Sequence, residues 1–169
     1  MEDSMPEKDY ICRDQDGNIL VKIEKMSEEE LSESPLFTHC LAVVKAGGEY
    51  LLGRNKWRNR YEIFGGCREK GESARDCIVR ECNEEFGFAS ADITYIGTMK
   101  LCLKPDYFSK EEREELGGLY GISLPDTSLE DLYSRIKDKE EITELGFYSQ
   151  VKDKEPIALI DEKLLEYYA

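Results

Sequence analysis

Three glutamates that lie close together in the sequence, Glu81, Glu84 and Glu85, have the residue type and spacing to bind a metal ion. If residues 73–86 form a helix, these side chains fall on one side of it, because successive residues are about 100° apart around the axis. Like charges at that spacing destabilise a helix by roughly 0.2 to 0.5 kcal/mol per pair. A divalent cation would remove the repulsion, and carboxylate oxygens are ligands that Mg²⁺ and Mn²⁺ prefer. The alternative interpretation is a solvated acidic helix face.

The helix that must position these carboxylates is predicted from Ser73 to Phe86, a run without Gly or Pro. Ser73 is expected to open it and Gly87 to end it. An apolar stripe runs beside the carboxylates and places them at the edge of the core; it consists of Ile78, Val79, Cys82 and Phe86. The loop before the helix contains Gly65, Gly66 and Gly71, which permit a tight turn and close backbone approach to a metal or an anion.

The segment from Gly66 to Phe88 resembles the signature of the Nudix hydrolases (MutT-like), G-x5-E-x7-R-E-U-x-E-E-x-G-U, in which U is aliphatic. The fixed positions of the signature are occupied by Gly66, Glu72, Arg80, Glu81, Glu84, Glu85 and Gly87. Cys82 and Phe88 stand at the two aliphatic positions, a departure that affects packing and leaves the chemical positions unchanged. So many fixed positions over a long window make the motif specific. We call residues 66–88 the box.

The resemblance implies a role for each matched position. In the family, the carbonyl of Gly66 and the side chains of Glu81, Glu84 and Glu85 are the usual ligands of Mg²⁺ or Mn²⁺. Arg80 with Glu72 braces the loop and orients the carboxylates. The implied reaction is hydrolysis of a nucleoside diphosphate linked to another group, in which the cation activates water and stabilises charge on phosphate oxygens.

A second acidic segment, residues 140–148, resembles the acidic residue and strand that follow late in many Nudix domains. In some members a glutamate there is the general base or a further metal ligand. Glu141 is the candidate here, with Glu140 next. A solvated charge run is the alternative interpretation.

The most basic stretch of the chain, residues 54–60, stands just before the box and carries the single tryptophan. Arginine forks bind phosphate and aromatic rings stack on bases, so we predict that this stretch binds substrate. The candidate residues are Arg54, Trp57, Arg58 and Arg60, with Arg54 favoured. The alternative is a solvated basic loop.

The predicted fold class is α/β: a Nudix α/β/α sandwich with a mixed β-sheet and the box loop-helix. Residues 1–35 are expected to form an N-terminal extension packed on the domain, a hairpin in Asp9–Lys25 and a short helix opened by Ser27 with Glu30. Residues 36–169 are expected to form the Nudix hydrolase domain. Strands are predicted at 37–45, 49–53, 93–103 and 119–124, and further helices at 109–115, 128–137 and 160–168.

The composition of the chain limits the classes of binding partner that we expect. The formal net charge of −14 and pI near 4.6 argue against a nucleic-acid polymer or an anionic membrane as the main partner. No apolar run has the length of a membrane span, and the N-terminus has no signal-peptide core, so we expect a cytoplasmic protein. Six cysteines without a C-x-x-C pair are interpreted as reduced thiols. A homodimer is compatible with these observations.

Several functions remain open. We favour a nucleoside triphosphate, such as an oxidised dNTP, as substrate; ADP-ribose, another nucleotide sugar or a dinucleotide is the alternative. The N-terminal lead-in also resembles isopentenyl-diphosphate isomerase, but Gly65 and Cys67 stand where that enzyme type has a Cys and a His. A non-catalytic nucleotide sensor is the third class. Such domains tend to lose box glutamates, and none is lost here.

Overall fold

The computed structural model describes residues 9–86, 92–106, 109–125 and 128–169. Over these residues nine strands join in one sheet. They are β1 (Cys12–Arg13), β2 (Ile19–Glu24), β3 (Phe37–Ala46), β4 (Glu49–Asn55), β5 (Arg60–Glu62), β6 (Phe64–Cys67), β7 (Asp92–Leu103), β8 (Arg113–Leu124) and β9 (Ile142–Phe147). The helices are α1 (Glu28–Glu33), α2 (Ala74–Phe86), α3 (Leu129–Ser134), α4 (Tyr148–Val151) and α5 (Leu159–Leu164), followed by a 3₁₀ turn at Leu165–Tyr167.

The strand order is β1-β2-β7-β8-β3-β4-β5, while β6 also pairs with β3 and β9 with β4. Strands β3 and β8 run parallel, whereas β7 and β8 run antiparallel. The sheet is therefore mixed, which confirms the prediction.

Helices cover both faces of the sheet. Because alternate residues of a strand point to opposite faces, Val44 of β3 belongs to the core under α1, α2 and α3. Its neighbour Val43 belongs to the core under α4 and α5. The predicted three-layer α/β/α sandwich is confirmed.

The predicted helix at 109–115 is wrong. Residues from Arg113 onward belong to β8, where Glu115 pairs with Leu101 and Arg113 with Leu103 of β7. Ser109 closes only a local turn, because its hydroxyl accepts a hydrogen bond from the N–H of Glu111 at 3.2 Å. The acidic run has helical propensity, but pairing with β7 decides its conformation.

Other predicted elements differ mainly in length. The N-terminal hairpin forms through the pairing of β1 with β2, and Ser27 and Glu30 make the predicted capping box of α1. The helix predicted at 128–137 is α3, opened by Ser128 but ending at Ser134. The closing helix ends at Leu164 and continues as a 3₁₀ turn. The predicted stop of the box helix at Gly87 and the aliphatic position Phe88 lie outside the described residues.

Side chains of helix α1 make direct contacts with the start of the box helix α2. The Oγ of Ser32 accepts a hydrogen bond from the N–H of Ala74, the first residue of α2, at 2.9 Å. The guanidinium of Arg75 donates to both carboxylate oxygens of Glu28, at 2.9 and 3.0 Å. The hydroxyl of Tyr120 also donates to Glu28, at 2.8 Å. The N-terminal segment thus fixes the start of the helix that carries the box glutamates.

All six cysteines are free thiols. Within the described ranges, no helix combines the length and apolarity needed to cross a bilayer.

Candidate metal and substrate site

Glu81 and Glu85 lie against the backbone of β6 at two consecutive glycines. A Cβ on Gly66 would collide with the carboxylate of Glu81. The N–H of Gly65 donates a hydrogen bond to Oε1 of Glu85 at 3.2 Å. Gly65 has a φ of +137°, and a Cβ there would collide with the carbonyl of Cys40. The glycine pair therefore brings helix carboxylates against the loop backbone.

These two carboxylates lie in an electrostatically unfavourable place. Oε2 of Glu85 is buried and has no hydrogen-bond partner. Burial, and next the charge of Glu81, raise the pKa of Glu85 well above its ordinary value. Burial also raises the pKa of Glu81, against the opposing effect of Arg80. A buried oxygen without a partner, beside a second carboxylate, is a donor set that a hard divalent cation fits.

Arg80 bridges the box loop and the box helix. Its Nε donates to Glu72 Oε2 at 2.7 Å, and its Nη2 donates to the carbonyl of Cys67 at 2.9 Å. Its Nη1 lies 3.1 Å from Oε1 of Glu81 and 3.2 Å from both oxygens of Glu84. These contacts are the ones expected of a brace for the loop.

The third glutamate of the trio is placed differently. The side chain of Glu84 is 49% exposed and is held by Arg80. In the described part of the chain, no three His, Cys, Asp or Glu side chains already form a metal-binding group. Glu81 and Glu85 are brought together, whereas Glu84 would have to leave Arg80 to join them. The predicted ligand set of Gly66, Glu81, Glu84 and Glu85 remains a prediction.

The two inner glutamates open onto a cavity of about 570 Å³, which we call the central cavity. It is lined, among others, by Gly66, Glu81, Glu85, Glu141, Arg58, Arg60 and Asp161. Glu141 accepts a hydrogen bond from Nδ2 of Asn55 at 3.3 Å, and burial raises its pKa. Its charge also contributes to the raised pKa of Glu85. The structure thus brings the predicted base candidate to the box glutamates.

The basic stretch is divided between two environments. Arg58 and Arg60 line the central cavity. Arg58 donates to both oxygens of Glu62, at 2.6 and 2.9 Å. Arg60 contacts Asp16 and Glu62, each at 3.2 Å. Their positive charges are therefore partly balanced by carboxylates at the cavity wall.

Arg54 and Trp57 are not among the residues that line this cavity. Strand alternation explains the position of Arg54, because its neighbours Gly53 and Asn55 line the cavity and Arg54 points to the other side. There it pairs with Glu155 at 2.7 Å and with Asn59. Trp57 is 66% exposed.

Two further cavity residues, Asp161 and His39, are not among the site residues predicted from the sequence. Asp161, in the first turn of α5, accepts a hydrogen bond at Oδ2 from the N–H of Ile63 at 3.0 Å. Burial, and next the charge of Glu62, raise the pKa of Asp161 to about 7. His39 lies beside Thr38, and burial lowers its pKa. An acidic residue between Ile160 and Leu164 is the sequence signal for Asp161, but its orientation depends on how α5 docks.

The comparison with family models gives a match to the NUDIX domain over residues 37–164. Among curated proteins, the chain is similar to the NAD-capped RNA hydrolase NudC of Pseudomonas aeruginosa, at 30% identity over 93 residues. That alignment covers 48% of this chain and 34% of the relative, so the chain spans about a third of the length of this curated protein.

Two solved structures show the same fold. The MutT NUDIX hydrolase of Burkholderia pseudomallei matches with a TM-score of 0.59 and 19% identity, over 81% of this chain and 100% of that one. The NUDIX domain of Shewanella oneidensis NrtR, complexed with ADP ribose, matches with a TM-score of 0.57 and 15% identity. That alignment covers 80% of this chain and 86% of the NrtR chain. At these identities the likeness concerns the fold.

Proposed function

The chain belongs to the Nudix family, and on that premise we propose that it is a metal-dependent pyrophosphohydrolase. Its substrate is a nucleoside diphosphate linked to another moiety. The observation that carries this proposal is the convergence of Glu81 and Glu85 on the glycine backbone of β6, at the wall of the central cavity. Glu81 and Glu85 both point inward, and Oε2 of Glu85 is buried without a hydrogen-bond partner, so the pair fits Mg²⁺ or Mn²⁺.

The side chains have separable roles in this reaction. Glu81 and Glu85, with the carbonyl of Gly66, would hold the cation, and Glu84 is the further carboxylate that the box offers to it. When bound, the cation supplies positive charge that stabilises the phosphate oxygens during attack by water. Glu141 lines the same cavity, and its raised pKa suits it to accept the proton of the attacking water. Arg80 and Glu72 hold the box loop in a fixed position relative to the box helix.

The substrate is the finer part of the proposal. A nucleoside triphosphate, such as an oxidised dNTP, is the first substrate to test. The second candidate is ADP-ribose or a dinucleotide, which is supported by the similarity to an NAD-capped RNA hydrolase and to a NUDIX domain crystallised with ADP ribose. The central cavity contains both arginines and carboxylates, which suits a ligand with an anionic end and a hydrogen-bonding end.

We further infer that residues 1–35 work as an extension of the domain formed by residues 36–169. Strand β2 pairs with β7 of the main sheet, and Ser32 and Glu28 of α1 hold the start of the box helix. We also propose a cytoplasmic location and a small-molecule substrate, in line with the acidic composition.

The test is release of phosphate or pyrophosphate from a panel of nucleoside triphosphates including 8-oxo-dGTP, with ADP-ribose, NADH and diadenosine polyphosphates. Each compound is assayed with Mg²⁺, with Mn²⁺ and with EDTA. The variants are Glu85→Gln and Glu84→Gln, and the matched control is Glu29→Gln on an exposed position of α1. We expect metal-dependent turnover of one class, lost in Glu85→Gln and retained in Glu29→Gln. Metal binding without turnover of any compound would favour a nucleotide sensor instead.

A further inference from the structure

The turn of the N-terminal hairpin, residues 14–18, reaches the central cavity. Asp14 lines this cavity together with Arg60, Ala158 and Ile160. The turn stands between β1 and β2, and β2 pairs with β7 of the main sheet. Residues 14–18 precede the segment 37–164 that matches the family model. The cavity wall therefore includes a piece of chain that lies outside the family domain.

The turn keeps its shape through its own hydrogen bonds. Oδ1 of Asp14 accepts from the N–H groups of Asp16 and Asn18, each at 2.9 Å. The N–H of Asp14 donates to the carbonyl of Asn18 at 2.9 Å, and Gly17 has a φ of +86°, which favours glycine. A side-chain carboxylate that accepts from the backbone N–H groups after it fixes a turn locally. The turn is therefore a preformed element that needs no ligand to order it.

The turn is also attached to two other walls of the cavity. The side-chain amide of Gln15 donates to the carbonyl of Ile157 at 2.9 Å and accepts from the N–H of Leu159 at 3.1 Å. These two bonds use both the donor and the acceptor of the amide. Oδ2 of Asp16 lies 3.2 Å from Nη1 of Arg60 in β5. Gln15 and Asp16 thus hold the turn against β5 and the start of α5.

The dimensions of the cavity suit one small molecule between the box and the turn. Arg60, which Asp16 contacts, is six residues before Gly66, a separation of at most about 22 Å along an extended chain. The cavity volume of about 570 Å³ lies in the range of sites for single small ligands. A nucleotide with its phosphates at Glu81 and Glu85 fits within these limits.

The part of the cavity next to the turn is acidic. Asp16 is 59% exposed and lies at the rim, while Glu62 and Asp161 line the cavity together with Asp14. The positive charge of Arg60 is shared between Asp16 and Glu62, each at 3.2 Å. Each nucleotide added to an RNA chain brings a further phosphate charge. These carboxylates therefore repel a polynucleotide more strongly than a single nucleotide.

We propose that the hairpin turn is the end wall of the substrate site and that Gln15 and Asp16 restrict the enzyme to small-molecule substrates. The inference rests on the proposed function, because it assumes that a nucleotide lies in the central cavity with its phosphates at the box. A free nucleotide ends at its nucleoside and stays within the wall. A nucleoside with an RNA chain on its 3′ oxygen directs that chain against the turn. There the docked Gln15 blocks its path and the carboxylate of Asp16 repels its phosphates.

The test compares kcat/KM for a small substrate with that for a short RNA oligonucleotide carrying the same group at its 5′ end. The pairs are ATP with a 5′-triphosphate that begins with adenosine, and NADH and ADP-ribose with the corresponding caps. The reacting group is the same within a pair, so the ratio reports on the added chain. In the natural protein the small substrate is expected to exceed its oligonucleotide by about a hundredfold or more, as where like charges are brought together.

The variants release the turn or reverse its charge. The double variant Gln15→Ala and Asp16→Ala removes the bonds to α5 and β5, and we expect it to reduce the ratio by about tenfold or more. Asp16→Lys, a second variant that keeps Gln15 docked, should also reduce the ratio, because a cation at the rim attracts RNA phosphates. The control is Lys22→Ala, an exposed position of β2 in the same hairpin, which should keep the ratio.

Failure of this inference differs from failure of the proposed function. Equal turnover of a small substrate and its oligonucleotide, or a ratio unchanged in both variants, would overturn the role of the turn and leave the hydrolase standing. If no compound is hydrolysed, calorimetric titration with ATP and its oligonucleotide in the presence of Mn²⁺ gives the same comparison at equilibrium. Tighter binding of ATP, with the difference reduced in the variants, supports the inference; equal binding, or binding of neither, contradicts it.

Discussion

Glu85 accepts a hydrogen bond from the N–H of Gly65 at 3.2 Å, while its second oxygen is buried without a partner. This hydrogen bond links the box loop to the box helix and leaves the second carboxylate oxygen of Glu85 available to coordinate a cation. Neighbouring Gly66 belongs to the same arrangement, because a side chain there would occupy the space of the Glu81 carboxylate.

Gly66→Ala should therefore displace Glu81. A Cβ at this position meets all the carboxylate atoms of Glu81, and overpacking of this kind costs about 1 to 3 kcal/mol. We expect kcat to fall by about a hundredfold or more, measured with the substrate found in the panel assay, while the protein still folds by circular dichroism. Gly48→Ala is the control, since Gly48 has a φ of +85° and open space around it. It should lose stability but not activity; equal activity of the two variants would contradict the displacement.

The two faces of the basic stretch give a second prediction. Arg58→Ala should raise KM by roughly threefold to tenfold, because it removes a cation from the cavity wall. Arg54→Ala should leave KM unchanged, because Arg54 pairs with Glu155 away from the cavity. Steady-state kinetics on both variants checks the pair. A higher KM in Arg54→Ala alone would restore Arg54 as the phosphate-binding residue.

The pH dependence of stability should report on Asp161. Its pKa is raised from 3.8 to about 7 in the folded protein, so the folded state holds a proton that the unfolded chain releases. The stabilisation from this proton is lost as the pH rises from about 4 to 7. Asp161→Asn lacks this titration. The free energy of unfolding of the variant, relative to that of the natural protein, should therefore increase as the pH rises from about 4 to 7, by no more than about 4 kcal/mol. Urea denaturation at several pH values measures the difference, and parallel curves would contradict the assignment.

Ser32→Ala tests the contribution of the N-terminal segment. It removes the acceptor for the N–H of Ala74 at the start of α2, and loss of one such hydrogen bond costs about 0.5 to 1.5 kcal/mol. Urea denaturation should show this loss relative to Glu29→Gln, which changes an exposed residue of the same helix. A stability indistinguishable from that control would mean that α1 does not hold the box helix.

The sequence was most informative where local patterns and tertiary packing agree. The box helix was predicted from its apolar stripe and from Ser73, and Ser73 does accept the N–H of Asp76 at 3.1 Å. The capping box formed by Ser27 and Glu30 was also predicted from the sequence. In each case the interaction connects residues close in sequence, so the pattern contains the information needed.

It was least informative where the partner is distant in sequence. The acidic run at 109–115 has the composition of a helix, but its end at Arg113 pairs with Leu103 of β7. Arg54 was favoured for its charge, yet the register of β4 turns it away from the cavity. Asp161 faces the cavity only because α5 packs against the sheet, a contact that no local pattern encodes.

The most direct test of the central claim is calorimetric titration of the natural protein and of Glu85→Gln with Mn²⁺, with Glu29→Gln as the control. The account predicts a Mn²⁺ site in the natural protein and in the control that is absent or at least about tenfold weaker in Glu85→Gln, since a neutral amide replaces a carboxylate ligand. Equal Mn²⁺ affinity in all three proteins would contradict the assignment of Glu85 and its neighbours as the metal site.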